Sequence, residues 1–131
     1  MKIFQMRNED KEFYITMGPF LARREIEKEI GYKIYDDDSK VWFIAIDGKK
    51  TIGFCYRLEK SKGNYQVGSC YVIEEERNNG IFKQLLNEAT KDIRGAVTLT
   101  TKNKYLTAML INEGFNVEKT KGSFAEFRKE F

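Results

Sequence analysis

The apolar pattern of this chain changes period at one place, and that change dictates the fold. Three strand-like runs, Val41 to Ile46, Thr51 to Glu59 and Tyr65 to Ile73, are separated by the turn signals Asp47-Gly48 and Lys62-Gly63-Asn64, which predicts an antiparallel meander. From Asn79 to Ile93 the period becomes helical: Ile81, Leu85, Ala89 and Ile93 fall four residues apart, with Phe82 and Leu86 beside them. Gly95 closes that helix, and Ala96 to Thr101 is again strand-like. A strand, a helix and a strand in series return parallel by a right-handed crossover. One parallel pair, 65–73 with 96–101, is therefore set inside an otherwise antiparallel sheet.

The flanks extend this frame. Residues 2–7 form a first strand, and Glu9 to Met17 and Pro19 to Ile30 read as helices, with Pro19 in a first turn and Gly31 as a C-terminal cap. Lys102 to Asn112 is a helix with Leu106, Met109 and Leu110 on its apolar face, and Phe115 to Glu118 and Ser123 to Arg128 are strands. The predicted class is α/β of the α+β kind: one domain over residues 1–131, with a mixed, mostly antiparallel sheet split at a central parallel strand pair and flanked by about four helices.

Composition narrows the chemistry. The chain is 41% hydrophobic and 14% aromatic, as a packed globule requires. Its net charge is only +3 with 33% charged residues interleaved in sign, so no nucleic-acid partner is expected. There is no histidine, which excludes a Ser-His-Asp triad and a Cys-His dyad and removes the commonest zinc ligand. Cys55 and Cys70 lie in apolar runs and read as buried thiols, and no metal site is expected. The acidic run Asp36-Asp37-Asp38 reads as a solvated, capped loop, with attraction of a cationic amine as a further option. No run approaches membrane-spanning length and Met1-Lys2-Ile3-Phe4 is not a signal peptide, so a cytoplasmic location with reduced thiols and no membrane partner is expected.

Arg77-Asn78-Asn79-Gly80 stands where the third meander strand turns into the helix. A helix start presents unpaired N–H groups and a positive dipole end, so it binds anions, phosphates above all. Gly80 removes a side chain where a pyrophosphate would approach. Arg77 adds a permanent positive charge and Lys83, one turn in, a second. Asn-Asn-Gly is also a good turn by itself, so local spacing leaves both readings open.

Val72-x-x-x-x-Arg77-x-x-Gly80-x-Phe82 resembles the signature of the GNAT acyltransferase superfamily, Arg/Gln-x-x-Gly-x-Gly/Ala after a strand. Asn103, a helix and then Gly114-Phe115 resemble the second signature of that family, Asn-x-x-Ala-x-x-Leu-Tyr-x-x-x-Gly-Phe. The resemblance runs in order over about residues 41 to 127. It implies a GNAT-like sheet opened into a V, with acetyl-coenzyme A as co-substrate between the central parallel strands. The backbone at Tyr71 and Val72 would pair with the pantetheine arm like an added strand. The amides of Asn78, Asn79, Gly80, Ile81, Phe82 and Lys83 would cradle the pyrophosphate beside Arg77, and Asn103 would face the pantetheine.

Three positions depart from the family pattern. Phe82 replaces Gly or Ala, as in a Gly-Ile-Phe subset, so that its ring points to the core while its amide serves. Leu106 replaces Ala. Leu110 replaces the tyrosine that often protonates the departing thiolate. Tyr105 lies five residues before position 110, a rotation of about 140° that turns it elsewhere. The implied activity is direct transfer of an acetyl group to an amine, on a small molecule, a peptide or a protein. The alternative is a non-catalytic GNAT-fold protein that binds coenzyme A or a protein partner. Candidate catalytic groups are Tyr71 and Glu59, with Tyr56 and Tyr65 further candidate cleft residues and a backbone N–H near Val72 to polarise the thioester. The acceptor, and the choice between monomer and homodimer, are left open.

Overall fold

The computed structural model describes all 131 residues. The element order is β1 (Lys2–Met6), α1 (Phe13–Met17), α2 (Arg24–Ile30), β2 (Val41–Asp47), β3 (Lys50–Ser61), β4 (Asn64–Val72), a short 3-10 turn (Glu74–Glu76), α3 (Ile81–Thr90), β5 (Ala96–Thr101), α4 (Lys104–Asn112), β6 (Asn116–Lys121) and β7 (Phe124–Glu130). The strands form one seven-stranded sheet in the order β1-β2-β3-β4-β5-β7-β6. Every neighbouring pair is antiparallel except β4 and β5, the predicted parallel pair.

Both faces of the sheet are covered, which explains why β2 is apolar at consecutive positions. Val41, Phe43 and Ala45 join a 17-residue core that includes Leu85, Leu86 and Ala89 of α3 and Leu110 of α4. Trp42 and Ile44, on the opposite face, join an eight-residue core with Phe13, Met17 and Ile26 of α1 and α2. The period-two alternation of β2 is thus intact, but each set of side chains meets a different helical layer.

The two N-terminal helices are shorter than the sequence suggests. Residues before Phe13 form turns, in which the Asp10 carboxylate accepts the Arg7 N–H at 2.7 Å. Pro19 does not open α2. Ala22, in the left-handed region at φ 59°, cuts the segment, and its N–H donates to the Ile34 carbonyl at 3.3 Å instead of continuing a helix. α2 therefore starts at Arg24 and ends at Gly31, as its cap predicts. α3 begins at Ile81 rather than Asn79, because Asn78 and Gly80 both have positive φ.

The parallel contact is short. β4 and β5 are in register from Asn64↔Ala96 to Val67↔Leu99 and then part. β4 remains paired with β3 as far as Gly53↔Val72, but with a bulge: Cys55 faces both Ser69 and Cys70, and Ser69 takes φ 49°. A bulge bends the strand that carries it, here away from β5. Leu85 is fully buried at the centre of the larger core. Leu85→Ala is expected to lower unfolding stability by about 3 kcal/mol, measured by urea denaturation.

Candidate functional site

The parting of β4 and β5 opens a cavity of about 390 Å³. Cys70, Tyr71 and Val72 of β4 line one side, and Leu99, Thr100 and Thr101 of β5 the other. The turn into α3 forms the mouth, α2 contributes Glu29 and Ile30, and α4 contributes Leu106 and Met109. Of the residues expected at a cofactor site, Tyr71, Val72, Arg77, Asn78, Gly80, Ile81, Phe82, Lys83 and Asn103 all border this space. Asn79 does not; it is exposed.

The turn adds unpaired amides to those that any helix start presents. Arg77 N–H donates to Glu74 and Gln84 N–H to Gly80, but no N–H from Asn78 through Lys83 has a protein acceptor. Asn78 and Gly80 lie in the left-handed region, at φ 69° and 75°, at the positive end of a ten-residue helix, the backbone setting in which concave amide nests form. A Cβ built at Gly80 meets nothing within 4 Å, so the absent side chain leaves open space rather than relieving a clash.

Strand alternation supplies another donor. Ile73 N–H bonds to the Ile52 carbonyl, so the Val72 peptide, one residue back, turns its N–H toward the β5 side and the cavity. The Val72 carbonyl is taken: Arg77 Nε donates to it at 2.8 Å. The remaining guanidinium nitrogens grip both carboxylate oxygens of Glu29, at 2.7 and 3.0 Å, with the Tyr71 ring 5.5 Å away. Arg77 is therefore not the free cation the sequence suggests. It ties α2 to the end of β4, and its charge is already matched. Lys83 is also partnered, 3.4 Å from Glu113.

Asn103 is the N-cap of α4, its Oδ1 accepting the N–H groups of Tyr105 at 2.8 Å and Leu106 at 3.2 Å. Its Nδ2 has no protein acceptor, and the residue borders the cavity. Phe82 packs against the larger core while bordering the cavity. Leu110, at the position of the family tyrosine, is wholly buried in that core. Tyr105 corrects an expectation: it borders the cavity mouth, because the first turn of α4 opens onto it.

Glu59 lies away from the cavity, near the β3–β4 turn and opposite Tyr65, where it raises the Tyr65 pKa by hydrogen bonding. Tyr56 is buried in the smaller core, with its hydroxyl accepting from Gln66 Nε2 at 2.7 Å. Cys70 borders the cavity, but burial pushes its thiol pKa well up, and Cys55 is raised to about 12 for the same reason. No group of three or more Cys, Asp or Glu side chains is arranged to hold a metal.

Sequence reasoning misses Tyr32. It follows α2 in an irregular segment, and nothing in its neighbours signals a role. Its hydroxyl accepts the Ser69 N–H at 2.7 Å, at the bulge that parts the strands. Burial raises its pKa well above the ordinary tyrosine value, so it stays neutral. The Tyr32 hydroxyl has no protein acceptor for its own proton, and the residue borders the cavity.

The sequence matches the acetyltransferase (GNAT) family over residues 3–110. The chain belongs to that family. GNAT-fold structures cover nearly its whole length. An acyl-CoA N-acyltransferase from Pseudomonas aeruginosa aligns at TM-score 0.72 with 14% identity, over 98% of each chain. A GNAT acetyltransferase from Elizabethkingia anophelis, with acetyl-CoA bound, aligns at 0.69 with 13% identity, over 99% of this chain and 97% of that one. The PaiA N-acetyltransferase of Thermoplasma acidophilum, in complex with coenzyme A, aligns at 0.67 with 16% identity over the full length of both. Among curated proteins, none gives a significant match to the sequence. Membership in the GNAT family makes acyl transfer the general activity; at these identities the structural likenesses establish the fold alone. No helix is long and apolar enough to cross a membrane.

Ser69 is almost fully buried, so its amide depends on Tyr32. Tyr32→Phe is expected to leave that N–H unsatisfied and to cost about 1–2 kcal/mol of stability by chemical denaturation.

Proposed function

We propose that this protein is a cytoplasmic N-acyltransferase that moves an acetyl group from acetyl-coenzyme A directly to an amine, with residues 1–131 acting as one domain. The observation that carries this reading is the set of unpartnered amides of Asn78 and of Gly80 to Lys83 at the mouth of a cavity between parted parallel strands. Such a set, at a helix N-terminus, matches the oxygens of a pyrophosphate. The cavity behind it is apolar along Leu106 and Met109 and edged by the free Val72 N–H, which suits a pantetheine arm. The complexes of related folds with coenzyme A and acetyl-CoA support the same reading.

In this reading the backbone N–H groups of Asn78 and of Gly80 to Lys83, which border the cavity, hold the pyrophosphate. Arg77 acts as a positioning residue, fixing the turn to Val72 and Glu29. Asn103 offers Nδ2 to the pantetheine. The acceptor enters as a neutral amine, and its nitrogen attacks the thioester carbonyl carbon. The carbonyl oxygen gains charge as the C–N bond forms, and a β4 N–H at Val72 stabilises it. The C–S bond then breaks, and the nitrogen proton passes to water or to the departing sulfur. A thiol has a pKa of about 8.5, so the thiolate leaves without a strong acid. Tyr32 and Tyr71, both bordering the cavity and both held neutral by burial, are the hydroxyls placed to donate a hydrogen bond to it. Glu59 is not among the residues that border this cavity, and this reading gives it no role.

The burial of Leu110 favours one second reading, a non-catalytic protein that binds coenzyme A. Two measurements separate them. Acetyl-coenzyme A titrated by calorimetry should bind in both, whereas thiol release with an amine panel should occur only in the enzyme. Gly80→Asp, which places a carboxylate against the pyrophosphate, is expected to weaken acetyl-coenzyme A binding by at least about tenfold. Unchanged affinity would remove the site from this turn.

Direct transfer leaves no acyl-enzyme. Cys70→Ala is therefore expected to keep kcat within about a factor of three, and intact-protein mass spectra taken during turnover should show no added acetyl group. Loss of activity with an acetylated wild-type protein would replace direct transfer by a thioester relay.

A further inference from the structure

A second cavity, of about 380 Å³, lies next to the first, and Tyr32 and Thr100 border both. It adjoins the Tyr32 to Lys40 loop and the buried Ser69, where β4 and β5 part. Under the proposed function it is where an acceptor amine reaches the thioester, and the choice of its occupant rests on that reading.

The charge around this space is not what an amine cation needs. Lys33, Lys40 and Lys60 line it, against one carboxylate, Glu126. Glu126 is itself directed to Lys119 at 3.8 Å. Lys40 is almost fully buried and internally satisfied: its Nζ donates to the Tyr35 carbonyl at 2.7 Å, lies 3.7 Å from Asp37 and stacks 3.7 Å from the Tyr35 ring centroid. Lys33 and Lys60 have no carboxylate within ion-pair distance and no hydrogen-bond partner, and both are exposed at the cavity.

The acidic run, the obvious attractor for a cation, is consumed by the fold. Asp36 accepts from the Tyr14 hydroxyl and Trp42 Nε1, Asp37 caps Ser39 and pairs with Lys40, and Asp38 accepts from Asn8. None of the three lines the second cavity. These carboxylates hold the loop in place, and the side of the loop that meets the cavity presents lysine and tyrosine.

We propose that the second cavity takes a small primary amine that also carries a carboxylate or a phosphate. Lys33 and Lys60 hold the anionic end, and the amine points toward Tyr32 and the β4–β5 opening. Two unpaired cations facing one shared carboxylate favour an anion and repel a diamine. A space of about 380 Å³, open to solvent on the lysine side, is the size of a small molecule.

The experiment compares L-glutamate and 2-aminoethyl phosphate with butylamine and putrescine. Each is titrated by calorimetry into the coenzyme A-loaded protein and into the protein alone, and each is offered as an acceptor with acetyl-coenzyme A. The acidic amines are expected to bind at least about tenfold more tightly than butylamine or putrescine. The Lys33→Glu, Lys60→Glu double variant, altered only at exposed positions, should erase that preference while leaving the affinity for coenzyme A unchanged. Equal or tighter binding of putrescine by the wild-type protein, or a preference for acidic amines that survives the double variant, would overturn the proposal. A protein that binds no coenzyme A yet keeps the lysine-dependent preference would uphold this site and bring down the cofactor reading instead.

Discussion

Everything at the site depends on where β4 stops pairing with β5. Parallel strands keep pairing while both backbones stay extended. At Ser69 one backbone leaves the extended region, and β4 turns with β3 rather than with β5. That exposes backbone N–H groups in a position where a sheet would normally consume them. Two local features hold the departure. Tyr32 satisfies the Ser69 amide, and Gly68 leaves room for the Tyr56 ring, whose hydroxyl would sit 2.5 Å from an added Cβ. The opening is thus present without a ligand, supported by these two contacts.

The second organising interaction is the clamp made by Arg77. One guanidinium joins the carbonyl of Val72, the carboxylate of Glu29 and the face of Tyr71. It connects the helix on one face of the sheet to the turn that starts the helix on the other. The amide nest is positioned by this clamp and by the two left-handed residues Asn78 and Gly80. Positioning through three different atoms of one side chain makes arginine hard to replace by lysine, which has no planar fork.

Much of the frame is legible in the sequence because periodicity reports burial. The meander, the crossover and the parallel pair all follow from spacing that one or two helical layers then satisfy. The N-terminal helices read too long because the left-handed Ala22 is set by a tertiary bond to Ile34, which no local signal announces. At the site, the backbone contribution of the turn is readable from Gly80 and its helix. The side-chain contribution is not: Arg77 looks like a free cation in the sequence because its partner, Glu29, lies 48 residues away. Tyr32 is invisible for the same reason, since its importance comes from Ser69. Rotation about an ideal helix axis turns Tyr105 away, whereas the cavity reaches around the first turn of α4 to meet it.

The matched pair of Arg77 and Glu29 bears on how this protein responds to the ionic environment of a cell. A phosphate site built from loose lysines and arginines gains much of its affinity by shedding counterions, and loses it as salt rises. Here the guanidinium is neutralised in advance, Lys83 faces Glu113, and the amides that remain are dipoles held at contact distance. Dipoles in contact with a ligand are screened little by mobile ions. Under the proposed reading, recognition at this turn would be governed by shape and donor direction, and occupancy would follow ligand concentration with little regard to ionic strength.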